Sequence, residues 1–348
     1  MKQRHYGHVY ILQDVKRTAF YNMITGNVKI VPNNRVSLSY SGKVFPKIKL
    51  LSELPTSENS IFKNPPLCNE LFVQLCTSKN ATEDIHEFEC LLANDKDNSG
   101  NIEVIKPSIL NRVLLGAKKL GFSIIHFRGV DNLPDLGFLR VATEMCMRLG
   151  LRVSWIFNAS AYKSIKEYLN QLFPSIFPVI TVTINDIGSL HMIQEIIDDR
   201  SHNMPGMLIL RPSEPAYAQK TLNLHIMLQH RTNWMILSSL VSTQNSFEGG
   251  CYRPTKPDLY RTQLMDTFNE PNCLLGRAFV DTNGNLSPCP AFSKYVVGNI
   301  NDKPLHKLIP DLQKTKQKLN KTLKCNDCAL KYACTSCAAM VVGGDSHD

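Results

Sequence analysis

Six of the eleven cysteines of this chain lie between Cys273 and Cys337. They are spaced Cys273-x15-Cys289 and then, after 35 residues, Cys325-x2-Cys328-x5-Cys334-x2-Cys337. A thiolate binds soft and borderline metals well, and a Cys-x2-Cys step puts two sulfurs on one tight turn facing the same ion or cluster. Two such steps five residues apart point to a metal-binding segment. Disulfides and a chance grouping of buried cysteines are the competing readings, since free cysteine is often a core residue. A four-cysteine zinc ribbon separates its two pairs by about 15 to 20 residues. The shorter gap here, with two more cysteines upstream, fits an iron-sulfur domain better. A single zinc on Cys325, Cys328, Cys334 and Cys337 stays open, because zinc accepts sites of four cysteines.

The spacing, with Gly284 between Cys273 and Cys289, resembles the SPASM domain, the C-terminal auxiliary-cluster domain of radical S-adenosylmethionine (SAM) enzymes that modify peptides. In that family the last pair is separated by three residues and a further cysteine follows. Here Thr335 and Ser336 make the separation two, and Ala338 to Asp348 contain no cysteine. The resemblance implies two auxiliary 4Fe-4S clusters, one held by Cys273, Cys289 and Cys337, the other by Cys325, Cys328 and Cys334. Each set is one ligand short. Cys251, water or a bound peptide would complete the first, and Asp345, His347 or a cysteine beyond Asp348 the second. Thr282-Asn283-Gly284-Asn285 reads as a tight hairpin turn, with Gly284 supplying a positive φ that returns Cys289 toward Cys273.

A chain of 348 residues exceeds what one core serves, so two or three domains are expected. Residues 1 to about 50 alternate in the manner of short strands: His8 to Leu12, Thr18 to Tyr21, Asn27 to Val31, Val36 to Tyr40 and Val44 to Leu50. They suggest a small antiparallel unit that packs on the main domain, with peptide recognition by strand addition as the alternative. Ser52 to Pro66 reads as a linker. From Leu71 onward, apolar strand candidates alternate with helices. The strands are Leu71 to Cys76, Ser123 to Phe127, Arg152 to Phe157, Val179 to Ile184, Met207 to Arg211 and Trp234 to Val241. The helices are Ser108 to Leu120, Asp135 to Leu149, Ala161 to Leu172, Gly188 to Asp199 and Pro215 to His230. Near-continuous apolar strands divided by helices imply a parallel sheet. The fold class is therefore α/β: a partial (β/α)6 barrel over residues 67–250, a small β-rich unit with its linker over 1–66, and a cysteine-rich SPASM-like domain over 251–348.

The barrel is similar to the radical SAM core. There a Gly-Gly-Glu-Pro turn follows the second strand, and a Thr-Asn-Gly follows the third. The matching residues here are Gly129, Asp131 and Asn158. A radical SAM enzyme also carries Cys-x3-Cys-x2-Cys after its first strand, because three thiolates hold a 4Fe-4S cluster whose fourth iron chelates SAM. No such run occurs in this chain: Cys68, Cys76 and Cys90 are separated by 7 and 13 residues. The resemblance therefore implies a pseudo-radical-SAM protein, with clusters in the C-terminal domain and no catalytic or SAM-binding residues. Its expected role is an accessory in ribosomal peptide modification that binds precursor peptide or a radical SAM maturase, or relays electrons. An active enzyme with an atypical cluster on Cys76 and Cys90, and a zinc-stabilised structural module, are the alternatives.

Other features carry less. Cys68, Cys76, Cys90 and His86 read as ordinary buried or partly buried residues, with a metal site that joins them in three dimensions as the alternative, and Cys146 lies on an apolar helical face. Asp95 to Glu103 imitates the start of an EF-hand loop, but Lys106 occupies the position of its closing carboxylate and Pro107 follows, so a polar turn is the better reading. Eight lysines between Lys303 and Lys331 account for much of the formal charge of +9. With Leu305, Leu308, Ile309 and Leu312 at helical spacing they read as the solvated face of an amphipathic helix. Without interleaved aromatics to stack bases, nucleic acid is not an expected partner. No signal peptide and no apolar run of about 18 residues appears, so the expected location is cytoplasmic.

Overall fold

Apolar strands that alternate with amphipathic helices bury both faces of a sheet, and this chain builds such a sheet. The structure, a computed structural model, describes residues 2–6, 9–13, 17–22, 28–33, 70–78, 102–172, 175–185, 188–200, 206–229, 234–238 and 276–322. The strand candidates Val36 to Tyr40 and Val44 to Leu50 and the linker Ser52 to Pro66 lie outside the described residues. The chain divides into two compact units, one of residues 1–67, 251–275 and 313–348, the other of residues 68–250 and 276–312.

In the first unit, β1 (Lys2–Tyr6), β2 (Val9–Gln13), β3 (Arg17–Asn22) and β4 (Val28–Pro32) form an antiparallel meander in chain order. Three of these strands follow the alternation of the sequence. β1 reads Lys-Gln-Arg-His-Tyr, a polar run without an apolar face, and is specified by its pairing with β2, Lys2 opposite Gln13 through Tyr6 opposite Val9.

The second unit is built on β5 (Glu70–Gln74), β6 (Cys76–Ser78), β7 (Ile102–Val104), β8 (Ile124–Arg128), β9 (Arg152–Asn158), β10 (Ile176–Ile184), β11 (Met207–Pro212) and β12 (Met235–Ser238). Strands β5, β8, β9, β10, β11 and β12 are neighbours in that order and pair in parallel. The connections carry α1 (Pro107–Leu120), α2 (Leu136–Arg148), α3 (Tyr162–Gln171), α4 (Gly188–Arg200) and α5 (Ala218–Gln229). This is the (β/α)6 order expected from the sequence. The boundaries differ most at β10, which begins at Ile176 and contains Pro178. Proline lacks the N–H that an interior strand donates on both sides. Pro178 pairs with Trp155 of β9, while pairing to β11 starts one residue later at Val179.

Three further strands extend the sheet beyond β5. β13 (Arg277–Val280) pairs in parallel with β5, and β14 (Asn285–Ser287) and β15 (Gly298–Asn299) follow antiparallel. Arg277 Nε reaches Glu70 Oε2 at 2.9 Å beside this junction. Residues 276–312 therefore complete the barrel sheet, although in the chain they follow Cys251. α6 (Leu305–Thr322) begins here and buries Leu305, Leu308, Ile309 and Leu312, as the helical spacing predicts.

One core lies between the sheet and its helices and includes Leu71, Val73, Leu75, Ile125, Phe127, Trp155 and Leu210. Trp155 Nε1 donates to Thr143 Oγ1 at 3.0 Å within it, fastening β9 to α2. The opposite face of the sheet holds a smaller cluster of Phe72, Ile156, Val179, Ile209 and Phe279.

Candidate functional site

In a parallel sheet the chemistry gathers at the carboxyl ends of the strands, and the first of these ends is Cys76. Residues 76–78 form β6 and pair antiparallel with β7, Cys76 opposite Val104 and Ser78 opposite Ile102. Cys76 is fully buried and its Sγ donates to the Gly129 carbonyl at 3.0 Å. Burial, followed by the nearby Asp131 carboxylate, pushes its thiol up to about 12. Of the calcium-like stretch, residues 95–101 lie outside the described residues; Ile102 to Val104 is strand, Lys106 precedes α1, and Pro107 is the first helical residue. Cys68, His86 and Cys90 lie outside the described residues. Cys146 is buried on α2, and burial pushes its thiol up to about 12, as suits a core position.

The turn after β8 follows directly from its glycine. Gly129 has φ 71°, and a Cβ there would overlap the Cys76 carbonyl oxygen and crowd the Gln74 amide nitrogen. Gln74 Nε2 in turn donates to that same carbonyl at 2.6 Å. Asp131 Oδ2 accepts from Asn158 Nδ2 at 2.8 Å and from the Asn158 backbone N–H at 3.2 Å. Gly129, Asp131 and Asn158, matched by motif in the sequence, thus meet at the ends of β8 and β9.

Among the six cysteines expected to bind metal, Cys289 is described. Cys273, Cys325, Cys328, Cys334 and Cys337, with Cys251, Asp345 and His347, lie outside the described residues. The hairpin leading to Cys289 forms as expected. Gly284 has φ 84°, and Phe279 and Val280 pair with Ser287 and Leu286. Asp281 Oδ1 accepts the backbone N–H groups of Asn283 and Asn285 at 2.9 and 2.8 Å, closing the turn. Cys289 then sits buried at the start of a one-turn helix over Pro290–Phe292. Among the described residues no group of three or more histidine, cysteine or acidic side chains is placed to hold a metal ion.

A second set of residues escaped the sequence reading. Gln74, His126, Arg128, Ser154 and Thr181 are buried polar side chains within the parallel strands. They fall on the face opposite the main core, because side chains alternate across a strand. The signal was present as polar residues at every second position inside apolar runs, as in His126 and Arg128 of Ile-Ile-His-Phe-Arg. Burial pushes the His126 imidazole down to about 4; Glu70 partly opposes this, while Arg277 adds to the lowering.

Residues 273–337 match the family model of SPASM, an iron-sulfur cluster-binding domain. The match starts on Cys273 and ends on Cys337, and it bears out the resemblance drawn from the cysteine spacing. No curated protein matches the chain in sequence. Among solved structures, Streptococcus suis SuiB bound to the precursor peptide SuiA is similar at 12% identity and a TM-score of 0.47, over 99% of this chain and 98% of that one. SuiB alone gives 13% and 0.47, over 98% and 96%. BtrN in complex with AdoMet and 2-DOIA gives 13% and 0.35, over 77% and 93%. All three superpositions are loose, and the order of the strands defines the fold independently of them. No helix among the described residues is long and apolar enough to cross a membrane.

Proposed function

We propose that the protein is a pseudo-radical-SAM accessory of peptide modification: its SPASM domain binds iron-sulfur clusters, and its barrel does not cleave SAM. The observation that carries this reading is the fate of the chain after the first barrel strand. Where a radical SAM core needs an open loop with three thiolates, this chain has no Cys-x3-Cys-x2-Cys. Its one cysteine at that point is buried, protonated and bonded to a backbone carbonyl. A thiol must lose its proton to ligate iron, and burial opposes that loss.

The donor set of the SPASM segment fits clusters, since all six candidate ligands, Cys273, Cys289, Cys325, Cys328, Cys334 and Cys337, are thiols. Iron-sulfur clusters held there supply one-electron chemistry. The protein's own part is to present Cys289 from a rigid turn: the Asp281 bonds and the β13–β14 pairing fix where that thiol starts. Precursor peptide and a radical SAM maturase are the partners this reading names. It is supported by the SPASM match and by a meander whose outer strands among the described residues, β1 and β4, are of the kind a peptide strand joins.

Anaerobic reconstitution with iron and sulfide tests the cluster assignment. Bound iron and sulfide, with visible absorption that falls stepwise as the six cysteines are changed to alanine, are expected. A protein that takes up no iron, or carries one zinc after aerobic purification and no sulfide, would contradict it.

A further inference from the structure

Two buried polar side chains on the inner face of the sheet have hydrogen-bonding atoms that meet nothing among the described residues. They are His126, at both ring nitrogens, and Ser154, at Oγ. His126 is 7% exposed and Ser154 0%. The two are register partners on β8 and β9, so they stand side by side on one face. A buried polar group left unmet costs about 1–3 kcal/mol. Two adjacent ones, at positions where valine or isoleucine would pack without that cost, call for a partner from outside the chain. Phe72 stacks on the His126 ring at 4.5 Å and holds its plane, and the same register row continues through Phe279 and Phe177.

Charge narrows the chemistry. Neutral His126 presents one N–H donor and one lone-pair acceptor, and the Ser154 hydroxyl does both. A cationic ligand would enter beside the buried Arg128, two residues further along the same strand face, while the two charges that act on His126, Glu70 and Arg277, are paired with each other at 2.9 Å and offer it no net attraction. A carboxylate would have to give up its hydration on a face lined by Phe72 and Phe279. An amide carries a donor and an acceptor side by side and no charge to desolvate.

We infer that this inner face receives the side-chain carboxamide of a glutamine or asparagine of a peptide, held by His126 and Ser154. The inference rests on the peptide-binding reading above and adds the place and the chemical group. Nitrogen NMR of the protein labelled at histidine, titrated with N-acetylglutamine N-methylamide, tests it. The ring nitrogens of His126 are expected to shift saturably, and the glutamate and lysine counterparts to bind at least about tenfold more weakly. Ser154→Ala, which removes one oxygen and leaves the strand packing in place, is expected to weaken the glutamine compound by about tenfold. No shift at His126, equal response to the glutamate compound, or binding indifferent to Ser154→Ala overturns the inference. Those results leave the accessory reading standing, because iron content and SAM cleavage test that separately.

Discussion

His126 and Cys76 show how much a single buried side chain decides. Folding holds the His126 imidazole below its ordinary value of 6.5, at about 4, so the unfolded chain binds the proton more readily. Stability is therefore highest above pH 6.5 and is lost as the pH falls toward 4, by about 1.4 kcal/mol at pH 5.5. Unfolding midpoints at pH 7.5 and 5.5 check this, and His126→Leu should flatten the difference. His225, which burial also lowers, titrates in both proteins, so comparing them isolates His126. Cys76 behaves oppositely: with its thiol pushed up to about 12, it is neutral at pH 8 and should resist iodoacetamide in the folded protein. Cys76→Ser, which keeps a donor toward Gly129, should leave iron content per chain unchanged. Loss of iron in that variant would place Cys76 among the ligands after all.

At the level of elements, much of the fold is legible because each strand and helix repeats one physical pattern. Helix α1 has proline at its first position and glycine at its end, and α2 is capped by Asp135, whose carboxylate accepts the Gly137 N–H at 2.7 Å. Strand β1 was not legible, since its polar residues carry no periodic face and only the pairing with β2 specifies it. Nor was the docking of β13 onto β5, a contact across some 200 residues of chain that local periodicity does not encode. Gly116 illustrates the same limit. In isolation it weakens α1, but a Cβ there would come within 2.9 Å of Leu305 Cβ on α6. Gly116→Val should therefore destabilise the protein by about 1–3 kcal/mol despite replacing a helix-weakening residue, a change read directly as a lower thermal midpoint.

For the molecule as a whole, the cysteine spacing located the SPASM segment because ligand spacing is a local property of the chain. The inner face of the barrel was not located, because it is assembled from single polar residues on separate strands. What unites the two is a barrel without the Cys-x3-Cys-x2-Cys run after its first strand and a C-terminal segment rich in thiols. The protein is accordingly expected to hold iron without using it on SAM. The most direct test supplies the reconstituted, iron-loaded protein with SAM and a strong reductant under anaerobic conditions and measures 5'-deoxyadenosine. With iron and sulfide bound, no 5'-deoxyadenosine above the protein-free control is predicted. Its formation in proportion to protein would show that the barrel cleaves SAM, and would contradict the accessory role.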